Sequence, residues 1–382
     1  MPKKMIVFCI LLIFFSVFSG GCQSILISQN EPITVQSSFF DPDDVQNGEQ
    51  LSIDSISKLG HGIVQDISTQ NNALLITDTT KAPPITYNVN LLNLSDNALS
   101  SFVNSDKQQN NAIFDSDNNG VFYIEKNASD STATNSQLVW TSIDRTVTKT
   151  ISNPNENVQN TLCLANNQTV LYLNIDNEII QKDLSGHQKK YQTQNHYFID
   201  KMRYQSGSNT LYFLGKKDVD DEFDNLYSAT LETNEQGQDT NMLKTKQIAQ
   251  DVIDFDINDK NTQIAYIEKF NDSHQIVSVN LSNMQKRNIK KDNYNSIIYT
   301  QDNSHLIVTK SDNSGEQDQQ SIWIINQDKK TQQQLTSPML ISSPIIPSKD
   351  KNSLYFSVQK NNSTSSPNLY DQIIYQITYS FK

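Results

Sequence analysis

An acidic turn in the first third of the chain has the spacing of a cation-binding loop. Asp115, Asp117 and Asn119 alternate with other residues and are followed by a glycine. Three oxygen-bearing side chains at this spacing are able to converge on one hard cation such as Ca²⁺. Tyr123 and Lys126, however, occupy the positions where the remaining ligands of such a loop belong. The alternative is a polar hairpin turn, and we therefore expect no metal site here.

A second acidic segment carries five carboxylates within seven residues, Asp218, Asp220, Asp221, Glu222 and Asp224. Two carboxylates that face one pocket serve as acid and base in glycosidases, and a lyase needs a similar pair. The same composition is typical of a long, solvated loop between strands. We expect the loop, and an acid–base site at the mouth of the fold remains the alternative.

Other catalytic patterns are absent from the sequence. The five histidines do not have the His-x₃-His spacing of a metal site, and we interpret them as surface residues; they are His61, His187, His196, His274 and His305. Cys163 lies in the apolar segment Thr161–Ala165, which favours a small buried hydrophobic residue over a nucleophile. The 11 glycines form no phosphate-binding loop, dinucleotide-binding motif or nucleophile elbow. We expect neither a cofactor nor a catalytic residue.

The N-terminus has the order of a secretory signal. Lys3 and Lys4 precede an apolar segment, Met5–Phe18, which only one serine interrupts. This segment is too short to span a bilayer comfortably, because a membrane helix needs about 20 apolar residues. The sequence predicts export through a signal peptide at residues 1–21.

The residues that end this segment, Ser19-Gly20-Gly21-Cys22, resemble the lipobox of bacterial lipoproteins. The resemblance implies cleavage between Gly21 and Cys22 and attachment of a diacylglycerol to the Cys22 sulfur. An ordinary cleaved signal and an uncleaved anchor are the alternatives. Residues 22–46 are polar and lack a sustained period, which indicates a flexible tether. Residues 47–382 remain for one domain, held at a cell membrane on its extracytoplasmic side.

The acidic composition argues against a nucleic-acid partner. The chain has 382 residues and a net charge of −12, and nucleic-acid binding requires clustered lysine and arginine. The one basic stretch, Lys286–Lys291, is short, and we interpret it as a solvated connection between strands. Only 36% of the residues are hydrophobic, yet 15 tyrosines and 16 phenylalanines are spread along the chain in short apolar runs. This distribution favours many short strands joined by polar turns.

A polar turn followed by a short apolar strand recurs seven times. The strands begin near Asn72, Gly120, Thr169, Thr210, Gln263, His305 and Ser353. A further strand follows each of them, starting at Val89, Leu138, Ile179, Leu226, Ile276, Ile322 and Ile373, so that successive copies are 49, 41, 47, 50, 46 and 51 residues apart. A propeller blade of four strands needs about 40 to 50 residues. No segment of helix length has a 3.6-residue period, which argues against α/β folds.

The last repeats resemble those of TolB-like, WD40-like propellers. The resemblance rests on Gln334-Leu335-Thr336, on Ser343-Pro344, and on Leu354-Tyr355-Phe356-Ser357. It implies a single all-β propeller domain, which the repeat count predicts to have seven four-stranded blades. The last blade lacks an outer strand after Phe381, and the alternating segment Leu51–Ile56 is predicted to supply it and so to close the ring.

Propellers mostly bind partners. The sequence therefore favours a membrane-tethered binding or scaffold protein for an envelope protein, peptide or glycan, and it does not identify the ligand. The alternative class is an envelope enzyme, a lyase or a glycosidase, that uses the acidic loop.

Overall fold

The computed structural model describes residues 51–79, 86–102, 107–127, 135–153, 156–159, 161–165, 168–231, 241–311, 319–348, 352–359 and 372–381. Over these residues the chain is all-β, with strands β1–β28 and one short 3₁₀ turn at Ser206–Ser208. None of these residues forms a helix that is long and apolar enough to cross a membrane. The predicted signal peptide, the lipidation site at Cys22 and the tether at 22–46 lie outside the described residues.

Four sheets have four strands each. The first contains β2 (Ile63–Ser68), β3 (Ala73–Thr79), β4 (Tyr87–Asn93) and β5 (Leu99–Ser101). The second contains β6 (Gln108–Phe114), β7 (Gly120–Lys126), β8 (Gln137–Ser142) and β9 (Thr148–Thr150). The third contains β22 (Tyr294–Tyr299), β23 (His305–Ser311), β24 (Gln320–Asn326) and β25 (Gln332–Gln334). The fourth contains β26 (Ile346–Pro347), β27 (Ser353–Gln359), β28 (Gln372–Phe381) and β1 (Leu51–His61).

Two sheets are larger. The five-stranded sheet contains β10 (Leu162–Leu164), β11 (Thr169–Leu173), β12 (Ile179–Asp183), β13 (Gln188–Thr193) and β17 (Asn241–Leu243). The seven-stranded sheet contains β14 (Phe198–Gln205), β15 (Thr210–Lys216), β16 (Asp224–Thr230), β18 (Thr245–Ile257), β19 (Gln263–Phe270), β20 (Ser273–Asn280) and β21 (Lys286–Asp292).

The recurring strand pairs predicted from the repeats are present as antiparallel pairs, β3–β4, β7–β8, β11–β12, β15–β16, β19–β20, β23–β24 and β27–β28. Asparagines in left-handed backbone conformation precede five of these pairs, at Asn72, Asn118, Asn209, Asn261 and Asn303. Asparagine is one of the few residues that tolerate a positive φ without large strain. The polar turns therefore fix the register of the apolar strands that follow them.

The sheets pack face to face in a closed ring. Each of seven apolar clusters contains buried residues from two successive strand units. One of these clusters joins the end of the chain to its beginning, because Tyr355 and Ile374 pack with Val64 and Leu74. Stacking in a ring lets every sheet bury both of its faces.

Strand β1 closes the ring as the alternating segment predicted. It pairs antiparallel with β28 at the edge of the sheet, from Leu51 opposite Phe381 to His61 opposite Ile373. Leu51 is buried, and Ile53 and Ile56 pack partly buried against the same apolar cluster, which includes residues of the preceding sheet. The strand is longer than predicted, because its pairing continues past Ile56 to His61.

Not every sheet has the four strands expected. Strand β17 adds to the five-stranded sheet by pairing parallel with β13. Strand β18 is continuous over 13 residues and pairs with β16 through its first half and with β19 through its second. Asp251 has a φ of 50° between the two halves, so the strand turns there without being interrupted. The outer strand of one unit and the inner strand of the next are therefore one element.

The basic stretch Lys286–Lys291 is part of strand β21, whereas the sequence had suggested a connection between strands. Its first three residues, Lys286, Arg287 and Asn288, are exposed, and β21 is the last strand of its sheet. Lysine on an edge strand opposes pairing with a second sheet. The charge is thus explained by the position of the strand.

The fold requires glycine at position 120, because there is no space for a side chain there. An added Cβ would lie 2.3 Å from the indole ring of Trp140, whose Nε1 donates a hydrogen bond to Asp115 (3.0 Å). Gly120→Ala is therefore expected to lower the free energy of unfolding by about 1 to 3 kcal/mol, as overpacking does. Urea denaturation measures this loss. Gly207→Ala is the control, because nothing lies within 4 Å of its Cβ position; equal stability of the two variants would contradict the argument.

Candidate functional site

A cavity of about 610 Å³ lies on the axis of the ring. The first strand of each successive unit contributes to its wall, namely β2, β6, β10, β14, β18, β22 and β26. Most of the lining residues belong to the second half of these strands or to the turns that follow, including Asn118, Asn258, Asn261 and Gln301. The volume is within the range of small-molecule sites, about 300 to 1,000 Å³.

Ion pairs connect the inner strands beside this cavity in two parallel rows. In the first row, Lys201 on β14 donates to Asp254 on β18 (2.6 Å), and the other oxygen of Asp254 accepts the backbone N–H of Ile297 on β22 (2.8 Å). Each such carboxylate satisfies donors on two neighbouring units, so the row holds three units together.

The second row repeats this arrangement two residues further along each strand. Arg203 Nε donates to Asp256 Oδ1 (3.2 Å), and Asp256 Oδ2 accepts the backbone N–H of Tyr299 (3.0 Å). Only the second row borders the cavity, because Arg203, Asp256 and Tyr299 line it whereas Lys201 and Asp254 do not.

Among the described residues that line the cavity, Arg203 is the one cationic side chain. Its side chain keeps 40% of its exposure although it lies on the ring axis. Burial among the inner strands is the largest single influence and lowers the pKa of the guanidinium, but the charge and hydrogen bond of Asp256, together with the charges of its other neighbours, raise the pKa overall. Arg203 is therefore charged at every physiological pH.

Cys163 also lines the cavity wall and is 7% exposed. Burial raises the pKa of its thiol to about 11, although the charge of Arg203 opposes this. A thiol with such a pKa is almost entirely protonated near neutral pH and is a poor nucleophile. The interpretation of Cys163 as a buried hydrophobic residue is confirmed.

The Asp115 loop folds as a hairpin turn between β6 and β7. Both carboxylate oxygens of Asp115 are already hydrogen-bonded, one by the backbone N–H of Asn119 (2.8 Å) and one by Trp140 Nε1 (3.0 Å). Within the described residues, no three His, Cys, Asp or Glu side chains are grouped so as to hold a metal ion. The absence of a bound metal at Asp115, Asp117 and Asn119 stays a prediction.

The acidic loop lies at the other end of the inner strands from the cavity. It follows β15 after Lys216, which pairs with Phe198 at the start of β14, whereas the cavity is lined by the end of β14. Its residues from Asp218 to Glu222 are exposed, as expected of a solvated loop. The loop is thus not at the mouth of this cavity, and the alternative interpretation, an acid–base site of this loop at a mouth of the ring, stays a prediction.

A pair of carboxylates, Asp200 and Asp224, does occur at that opposite end. The sequence analysis had identified Asp224 but not Asp200. Asp224 is half-buried at the start of β16 and lies close to the exposed Asp200 of β14. Burial, followed by the negative charge of the neighbouring Asp200, raises the pKa of Asp224 to about 6. A carboxyl group with a pKa raised toward neutrality is suited to acid–base chemistry.

The histidines are only partly as expected. His61, His187 and His196 are exposed, which agrees with the surface interpretation. His305 is instead buried, with its ring stacked on Phe381 at 4.1 Å between ring centres. The sequence interpretation of His305 was wrong, because a residue two positions beyond the Asp302-Asn303 turn already lies inside the interface between two sheets.

In sequence, no protein family and no curated protein matches the chain. In structure, an oligogalacturonate lyase in complex with manganese matches with a TM-score of 0.63 and 12% identity, covering 92% of this chain and 97% of that one. An oligogalacturonate lyase from Vibrio parahaemolyticus matches with a TM-score of 0.62 and 11% identity, covering 86% and 96%. The β-propeller domain of Cps50 (Swd1) from Myceliophteria thermophila matches with a TM-score of 0.57 and 9% identity, covering 85% and 99%.

The chain is a β-propeller. The fold implied by the resemblance to TolB-like, WD40-like propellers is thereby confirmed. At these identities the likeness extends to the fold alone, and the activity in a neighbour's name belongs to that neighbour.

Sequence reasoning had not singled out Arg203, Asp254 or Asp256. The available signal was a charged residue inside an otherwise apolar strand, as in Val252-Ile253-Asp254-Phe255-Asp256-Ile257. A charge at such a position requires a partner. The partners are 53 residues away in the chain, which a local pattern does not reveal.

Proposed function

We propose that the chain is a lipid-anchored, extracytoplasmic propeller of seven blades that binds an envelope protein, peptide or glycan and is not an enzyme. The lipid on Cys22 would hold the ring at the membrane, and the tether at 22–46 would let it reach its partner. The cavity on the ring axis is the observation that carries the binding role.

The seven-blade count is supported by three features of the described residues. Seven strand pairs recur at the spacing of the sequence repeats. Seven apolar clusters separate successive units, and seven inner strands line the axial cavity. The seven-stranded sheet counts as two blades in this scheme, because β18 serves as outer strand of one and inner strand of the next.

The cavity supports binding because its wall combines apolar and polar groups. Ile113, Leu164, Ile257 and Ile298 provide apolar contacts, and Arg203 provides a charge. A pocket of this size with a few placed polar groups is the usual form of a ligand site. Turns surround its mouth, and such turns present side chains to a partner without cost to the sheets.

Capture of the partner from the native envelope tests the proposal. The soluble ring, immobilised, is expected to retain an envelope component. Gln301→Trp, which places a bulky ring in the cavity wall, should lose that component. Asp176→Trp makes the same addition in the exposed β11–β12 turn outside the cavity wall and should retain it. Equal retention by both variants, or no retained component, would argue against binding at the cavity.

An enzyme is the second candidate, and the Asp200–Asp224 pair favours it. The pKa of Asp224, about 6, suits a group that donates or accepts a proton near neutral pH. The fold likeness to oligogalacturonate lyases suggests acidic sugar chains as the first substrates to assay. Cleavage of oligogalacturonate by the wild type that Asp224→Asn reduces by about 100-fold or more, as expected for loss of an acid or base, would favour this candidate over the first.

A further inference from the structure

The cavity is distinguished by an arginine with unused hydrogen-bond donors. A guanidinium has five N–H donors in a planar fork. In Arg203, Nε donates to Asp256 and Nη1 donates to the backbone oxygen of Met202 (3.3 Å). Within the described part of the chain, Nη2 donates to no protein atom. The exposed 40% of the side chain faces the cavity that Arg203 lines.

Most carboxylates around the cavity already accept hydrogen bonds from donors of the protein. Asp66 accepts the backbone N–H groups of Ile67 and Phe114, both at 2.8 Å. Asp115 is held by Asn119 and Trp140, and Asp256 by Arg203 and Tyr299, as described above. The oxygens of these carboxylates are thus engaged within the fold, whereas Arg203 retains donors for a ligand.

We propose that Arg203 anchors a carboxylate group of the ligand that enters the axial cavity. This inference deepens the proposed binding function and rests on it. The free edge of the guanidinium binds one carboxylate through two parallel N–H···O bonds, a geometry that a lysine does not offer. The carbon skeleton of the ligand then lies against apolar wall residues such as Ile113, Leu164 and Ile298.

The rival explanation is that Arg203 serves only to join two blades. Lys201 provides the control for this, because it forms the matching ion pair with Asp254 on the same two strands, two residues away. Lys201 does not line the cavity. Replacing either residue removes one ion pair between the same two strands. Only the replacement of Arg203 also removes the proposed contact with the ligand.

The experiment measures binding by isothermal titration calorimetry on the full-length mature ring. Two probes carry the carboxylate on different skeletons: digalacturonate and the dipeptide Glu-Glu. Maltose is the uncharged counterpart of the first, and spermidine tests a cationic ligand. We expect one or both acidic probes to bind and maltose and spermidine not to bind. Arg203→Gln should weaken binding about 10- to 100-fold, since a charge-assisted hydrogen bond contributes about 1.5 to 3 kcal/mol, and Lys201→Gln less than about twofold.

Each outcome decides the inference. Preference for digalacturonate or for Glu-Glu supports it and identifies the source of the carboxylate. Equal losses in Arg203→Gln and Lys201→Gln, binding of spermidine in place of the acids, or no binding of either acid would overturn it. If the envelope capture still depends on Gln301 while neither acid binds, the carboxylate anchor fails and the binding function stands.

Discussion

Deletion of residues 51–58 is expected to destabilise the entire ring. These residues form most of β1, which is paired with β28 between Leu51 and Phe381 at one end and His61 and Ile373 at the other. The deletion removes the apolar side chains of Leu51, Ile53 and Ile56 from the cluster they pack against and exposes its remaining members; full burial of one such side chain stabilises by about 1.5 to 3 kcal/mol, and partial burial by less. It also leaves the backbone of β28 unpaired on one side.

Further contacts tie this strand to the neighbouring blade. The backbone N–H of Leu51 donates to Gln333 Oε1 of β25 (2.7 Å), and His305 stacks on Phe381, the residue opposite Leu51. Since a domain is stable by only about 5 to 15 kcal/mol, the combined loss is expected to reach about 5 kcal/mol and to unfold a large part of the population.

Thermal and urea denaturation of the lipid-free ring measure this loss. Deletion of residues 23–41 removes more than twice as many residues from the tether and is the control, with little expected change in the transition midpoint. If the two deletions gave the same midpoint, β1 would not be required for closure. A lowered midpoint with an unchanged dependence of the unfolding free energy on urea concentration would show that the ring still unfolds as one unit.

The strand pairs were predictable because their signal is local. Each apolar strand follows a turn of Asn, Asp or Gly, and left-handed residues such as Asn72 and Asn303 confirm the physical basis of that signal. The closing strand was also predictable. The alternating segment Leu51–Ile56 had no partner, and the last repeat lacked an outer strand after Phe381, so that each could supply what the other lacked.

The continuous strand β18 was not predictable in the same way. The residues around Asp251 carry no glycine or proline, so a local reading finds no sign of where one blade ends. The corresponding passage from β1 to β2 uses Gly62 with a φ of 125°, where an added Cβ would lie 2.9 Å from the carbonyl oxygen of Thr77. Asp251 and Gly62 thus both use a positive φ to lead the chain from the outer strand of one blade to the inner strand of the next.

The candidate site was the least predictable part. Its charges come from strands that are distant in sequence, and the ring alone brings Arg203 beside Asp256. The acidic segments that stood out in the sequence were conspicuous because they are in turns, where charge is easily solvated. The charged residues that face the axis are fewer and are separated by apolar residues. The local composition of the sequence therefore does not identify them.

The replacement Cys22→Ala is expected to abolish lipid attachment completely. Gly20, Gly21 and Cys22 end the apolar leader in the manner of a lipobox, and the sulfur of Cys22 is the only atom there able to form the thioether. Acyl chains bind a bilayer by burying methylene groups at about 0.8 kcal/mol each, so that loss of two chains removes a stable anchor. The variant should therefore appear in the soluble fraction or persist as an uncleaved precursor.

Metabolic labelling with a fatty acid, followed by mass spectrometry of the mature N-terminus, measures the effect. Cys163→Ala is the matched control, because Cys163 is buried in the cavity wall, where an acyl chain would not fit beside the inner strands. The wild type and Cys163→Ala should carry the label, and Cys22→Ala should carry none. An unmodified cysteine at the mature N-terminus, or cleavage at another bond, would show that the leader is an ordinary secretory signal. The binding role of the ring would then have to be exerted in free solution, because nothing else proposed for this chain holds it at a membrane.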